Sequence, residues 1–243
     1  MGQLDQFAKE TLALETAAVT HGAVTWQLPP EVGMSEVRLD GLLHVHDLGP
    51  LATLAPPWSL LRQTDELALE VKMQGEHHDL LSFDRACLRR LARQVQRREA
   101  PGSVFEGETP LWYIASHVSA IIEDRRPVTR VAPGCYQIGP PWMSTLWVAA
   151  NELPLADELV PFLIARTGQA LDRFVRWVKT RRSIPWLLRV LELLPMSAAT
   201  YDDLHLYTLP KTDDPEILAR RRLIFGWFVE ASPELVEEGI EKA

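Results

Sequence analysis

Only two cysteines occur in 243 residues, Cys87 and Cys135, and they stand far apart. That excludes a disulfide framework and a cysteine-based zinc cluster, and it fits a reducing cytoplasm. A long uninterrupted apolar run is also missing. The most apolar late stretch, residues 146–165, is broken by Asn151, Glu152, two prolines, Asp157 and Glu158, so it does not suit a bilayer span. The first ten residues carry Asp5 and Glu10 and no apolar h-region, unlike a signal peptide. A cytoplasmic protein with no membrane partner is therefore expected. Basic charge is not in excess either: the net charge is −8, which argues against a surface that grips nucleic acid everywhere. No internal repeat or low-complexity tract is visible.

What is present is an ordinary globular composition, 47% hydrophobic and 24% charged, in a chain long enough to bury a sizeable core. The acid is uneven. From Ser197 onward ten acidic residues oppose five basic ones, so most of the net charge sits there. The remainder is near neutral and leaves room for a local basic groove.

Periodicity predicts a helix over 3–18, with Leu4, Phe7, Ala8, Thr11, Leu12 and Glu15 at helical spacing. Strands follow at 23–27, 36–46 and 66–73. The last of these is the cleanest: Leu67, Leu69, Val71 and Met73 alternate with Glu66, Ala68, Glu70 and Lys72. A helix is predicted over 81–99, with an apolar stripe of Leu88, Leu91, Ala92 and Val95. Arg85, Arg89, Arg93 and Arg97 lie opposite, as a solvated face or a track for a phosphate backbone. A strand over 110–116, a short helix near 117–124 and a strand near 134–138 come next. Helices are then predicted at about 155–166, 168–181, 185–194, 215–231 and 233–241, with Pro154, Pro185, Pro215 and Pro233 at or near first turns.

Glu70 and Lys72 are two residues apart on one strand, so both project from the same face. Asp40 lies in the strand before it, within reach of Glu70 if the two strands are neighbours. Two carboxylates from adjacent strands suit a hard divalent cation, Mg2+ or Mn2+, which prefers oxygen ligands and keeps water for a nucleophile. Lys72 beside them suits the charge that builds on a phosphorane. Desolvation would lower its pKa, against the opposing pull of the acids.

This order of helix, three strands, helix and strand, with Asp40 and then Glu70-Val71-Lys72 thirty residues on, resembles the PD-(D/E)XK nuclease superfamily. The likeness covers about residues 3–116 and is to uncharacterised bacterial members, transposase-associated and defence-related ones included. It implies an α/β fold with a restriction-endonuclease-like αβββαβ core and a mixed sheet over 1–145. A helical C-terminal annex over 146–243 would pack on that core or on a partner subunit. It also implies a metal-dependent nuclease that hydrolyses phosphodiester bonds, with DNA as the expected substrate. Asp40 and Glu70 would be the metal carboxylates and Lys72 the catalytic lysine. Glu15 would be a further metal ligand, with Glu10 in reserve, and Gln94 the glutamine supplied by the following helix. Leu39 stands where the motif's name has proline.

Other readings stay open. Glu70 and Lys72 also suit a solvated ion pair on an exposed sheet face, and Asp40-Gly41 suits a turn or bulge. His44 with His46, or His77-His78-Asp79, suits zinc in residue type but offers no convincing further ligand. Cys87, Cys135 and the eight tryptophans suit core positions. The acidic tail and the missing proline also fit a nuclease-like scaffold without turnover that serves as a protein-interaction module. A second copy of the chain is a candidate partner, as a homodimer.

Overall fold

The computed structural model describes residues 3–27, 38–62, 64–76, 78–139, 145–209 and 214–231, with the side chains of 221 and 225–231 outside the description. The chain opens with helix α1 (Gln3–Val19), then strands β1 (Val24–Gln27), β2 (Gly41–Val45) and β3 (Glu66–Val71). Helix α2 (Leu80–Glu99) leads to β4 (Leu111–Ala115). The predicted order is thus present, although the start of the strand expected from 36 lies outside the described residues.

β1, β2 and β3 form an antiparallel meander, and α2 carries the chain across so that β4 runs parallel to β3. Helix α2 begins where Asp79 caps it, its side chain accepting from Ser82 N at 2.8 Å. Helix α3 (Ala120–Arg125) and strands β5 (Val128–Ala132), β6 (Cys135–Ile138) and β7 (Thr145–Ala149) complete a seven-stranded mixed sheet, ordered β1-β2-β3-β4-β7-β6-β5. The sequence reading had neither β5 nor β7, and its core boundary at 145/146 falls inside β7. The compact units instead divide between Leu171 and Asp172.

Both faces of the central strands are covered. On one, Leu42, Ala68, Tyr113, Trp147 and Ala149 meet Phe83, Ala86 and Cys87 of α2. On the other, Trp112 of β4 meets Trp58 and Phe162, with ring centroids 5.5 and 5.8 Å away. Every residue of β3 is buried as a result. Cys87 and Cys135 are buried thiols, as a core reading requires.

Helix α2 faces the sheet opposite to the way its apolar stripe suggests. Phe83, Ala86, Cys87, Arg90 and Gln94 are buried, while Leu88 and Val95 are each 50% exposed. The cause lies across the interface. Glu66 and Glu70 point from β3 toward the helix, and buried carboxylates demand cationic partners. Arg93 meets Glu66 through Nε and Nη2 at 2.8 and 2.7 Å, Arg89 meets Glu70, and Arg97 meets Asp65. The arginine row expected in solvent is therefore half inside the fold, and only Arg85 of the four is exposed.

Helices α4 (Val160–Leu163) and α5 (Gly168–Val178) follow, then α6 (Ile184–Leu193), α7 (Ala198–Thr208) and α8 (Pro215–Ala231). α7 was not predicted, and the helix expected over 233–241 lies outside the described residues. In the C-terminal unit Arg176 bonds Thr200 at 2.9 Å and Lys179 pairs with Asp203 at 2.8 Å, which joins α5 to α7. Among the described residues no helix is long and apolar enough to cross a membrane.

Candidate functional site

β2 pairs with β3 so that Gly41 lies across from Leu69, and one step further brings Asp40 across from Glu70. Asp40 immediately precedes β2, and its Oδ2 accepts from the backbone N of Val71 at 3.0 Å. That donor is the middle residue of Glu70-Val71-Lys72, so the first carboxylate is tied directly to the tripeptide. Gly41 is needed beside it: a Cβ there would lie 2.5 Å from Cη2 of Trp26. Gly41 is thus a strand residue under a tryptophan ring, and not the apex of a turn.

Glu70 is only 1% exposed. Its Oε1 lies 2.7 Å from Lys72 Nζ, and Arg89 Nη1 stands 2.9 Å from both of its oxygens. A solvated surface pair is therefore overturned. From α1 comes a cation: Lys9 Nζ lies 3.0 Å from Asp5 and 3.8 Å from Asp40. Glu76 closes the loop after β3, its carboxylate accepting from Met73 N at 2.6 Å. Tyr113 pairs with Glu70 across β3 and β4 and shares a 3.0 Å hydrogen bond with Ser82 of α2.

Burial pushes the Glu70 carboxyl above its ordinary pKa, and the neighbouring Asp40 charge adds to this, against Lys72 and Arg89. For Lys72, burial pulls the ammonium down, but Glu70, Asp40 and Glu76 together outweigh it and the net shift is upward. The lowered lysine pKa considered from sequence is therefore replaced by a firm cation. Burial also raises the Tyr113 phenol, with Glu70 and Asp40 adding to it.

Asp40, Glu70 and Lys72 are brought together, whereas Glu15 and Gln94 are not among them. Glu15 stands six residues beyond Lys9 on α1, about 9 Å along the axis at 1.5 Å per residue. Gln94 is buried at the other end of α2, where its Oε1 accepts from Thr109 N at 3.4 Å. The helix position that reaches Glu70 is Arg89 and not a glutamine; its four-residue spacing with Arg93 marks a shared helix face but not the partner of that face. Nor does sequence spacing single out Lys9, a base on a helix expected to offer an acid.

Asp40 and Glu70 fit a hard divalent cation in kind, as oxygen donors whose mutual repulsion a cation relieves. Mg2+ is often held by one or two carboxylates together with waters and substrate phosphates. Against this, Arg89 Nη1 engages both Glu70 oxygens, so a cation must compete with the guanidinium for them. Among the described residues no group of three or more His, Cys, Asp or Glu side chains stands where it could hold a metal ion. The chain matches no family model, no curated protein and no solved structure.

Proposed function

We propose that the chain is a nuclease-like phosphodiesterase of the PD-(D/E)XK type with a restriction-endonuclease-like core, acting on DNA. The observation that carries this reading is the bond from Val71 N to Asp40, which joins the isolated acid to the Glu70–Lys72 pair. In this reading Asp40 and Glu70 hold Mg2+ or Mn2+, and the cation supplies Lewis acidity and a bound water of lowered pKa. Lys72 remains charged and offsets negative charge on the phosphoryl oxygens. Lys9 screens Asp40 from the side of α1 and contributes to the positive field at the mouth of the site.

The test is divalent-cation-dependent cleavage of single- and double-stranded DNA. Asp40→Ala, Glu70→Ala and Lys72→Ala are each expected to abolish it, with Asp40→Ala and Lys72→Ala keeping a cooperative melt. Cleavage that persists in all three variants would sink the assignment. The hold of Arg89 Nη1 on both oxygens of Glu70 favours a second reading, a nuclease-like scaffold without turnover that binds another protein or a second copy of itself. Under that reading the wild type neither cuts DNA nor changes its melting temperature with Mg2+.

A further inference from the structure

The C-terminal ends of the parallel strands β3 and β4 carry a second cluster that the phosphodiesterase reading does not use. His78 lies in the loop after β3, and His117 lies two residues beyond β4. Their Nε2 atoms are 3.3 Å apart, and the rings are nearly perpendicular, at 86°. Each Nδ1 already has an oxygen partner: the Glu76 carbonyl for His78, at 3.4 Å, and Ser116 Oγ for His117, at 2.9 Å. The two loops are pinned together. Ser119 Oγ donates to the His78 carbonyl at 3.0 Å, and Trp147 Nε1 donates to the His117 carbonyl at 3.2 Å. Ser116 is buried, so the support for His117 is built into the end of the strand.

We infer that His78 and His117 form a two-imidazole site for a borderline transition cation such as Zn2+, Ni2+ or Cu2+, with water completing the coordination. Zn–N bonds of 2.0–2.1 Å at a tetrahedral angle separate two ligand nitrogens by about 3.3 Å, which is the spacing found here. Oriented Nδ1 atoms are the usual second-sphere support of metal-binding imidazoles, because a carbonyl or hydroxyl there fixes the tautomer. The Glu76 carbonyl can only accept, so His78 donates from Nδ1 and presents a lone pair at Nε2. Without metal, His117 donates its Nε2 proton to that lone pair and accepts from Ser116. Metal binding needs one tautomer change: the His117 proton moves from Nε2 to Nδ1, and Ser116 Oγ turns from donor to acceptor. Both Nε2 atoms then carry a lone pair for the cation, and the tautomer change itself releases no proton. This site stands independently of the Asp40–Glu70 reading.

Calorimetric titration of the full chain with Ni2+ and Zn2+ tests the proposal, together with the nitrogen hyperfine pattern of bound Cu2+. In an Asp40→Asn background, which removes the other proposed cation site, one ion per chain and a two-nitrogen Cu2+ signal are expected. His78→Ala and His117→Ala should each weaken binding by at least about tenfold, and Ser116→Ala by a smaller factor. The variants' metal-free melting temperatures report that they fold. His44→Ala/His46→Ala, at the opposite side of β2, should bind like the wild type. Equal isotherms for the wild type and His117→Ala, or a loss confined to the His44/His46 variant, would overturn the assignment.

Discussion

Lys72 shows how the sheet decides chemistry one side chain at a time. Its ammonium is partly desolvated, which alone would favour the neutral amine, yet Glu70 at 2.7 Å and the nearby Asp40 and Glu76 hold the proton on. The folded-state pKa is raised above the unfolded value of 10.5. The stabilisation is therefore fully present below that value and is lost as pH climbs through the folded pKa. The melting-temperature difference between wild type and Lys72→Met should stay flat from about pH 7 to 9.5 and shrink in more alkaline buffer. A difference that already shrinks between pH 7 and 9 would mean a depressed lysine, suited to a proton-abstracting role. The shared face of Glu70 and Lys72 was legible in the sequence because two positions two apart on a strand project to the same side. Arg89 was not. Its partner is nineteen positions away, on an element whose facing no local pattern gives.

The α2–β3 pairing is the element on which sequence pattern and structure part company. A helix of this composition ordinarily buries leucines and exposes arginines, and here buried acids on the strand reverse the choice. Glu66 is 2% exposed, so removing Arg93 leaves a buried charge with only the more distant Arg97, at 3.9 Å, as its cation among the described residues. Arg93→Ala is expected to cost about 3–5 kcal/mol, as breaking a buried pair does. Exposed Arg85→Ala should stay within about 0.5 kcal/mol. Denaturant melts of the two variants check this; equal, small effects would mean the row is solvated after all. Arg90 is a different case. It is equally buried, but among the described residues its Nε and Nη2 have no hydrogen-bond partner, and burial lowers its pKa. Arg90→Met, which keeps the stem and removes the guanidinium, should raise the melting temperature, by analogy with gains of about 1–4 kcal/mol when buried ions are replaced by apolar groups. A fall of several degrees would show that the guanidinium is satisfied in solution.

Across the whole molecule, the order α1-β1-β2-β3-α2-β4 could be read from the sequence because each piece carries its own period and its own breakers. β7 could not. Thr145–Ala149 is almost wholly buried, with Trp147 stacked 4.2 Å from Tyr113, so it shows none of the alternation that marks a half-exposed strand. β5 failed for the opposite reason: it lies at the sheet edge with Thr129, Arg130 and Val131 exposed, and its polar run reads as loop. These extra strands place β3 and β4 in the middle of the sheet. Parallel strands there bring their C-terminal ends to one rim, as in other α/β sheets that bind ligands at that end. In the proposed site Asp40 and Glu70 would share one divalent cation at this sheet. The most direct measurement is calorimetric titration of Mn2+ into the full chain carrying His78→Ala/His117→Ala, with and without Asp40→Asn. Saturable binding of one ion, lost with Asp40→Asn while the melt stays cooperative, is the predicted result. No saturable binding, or binding indifferent to Asp40→Asn, would contradict the account and leave Arg89 as the permanent partner of Glu70.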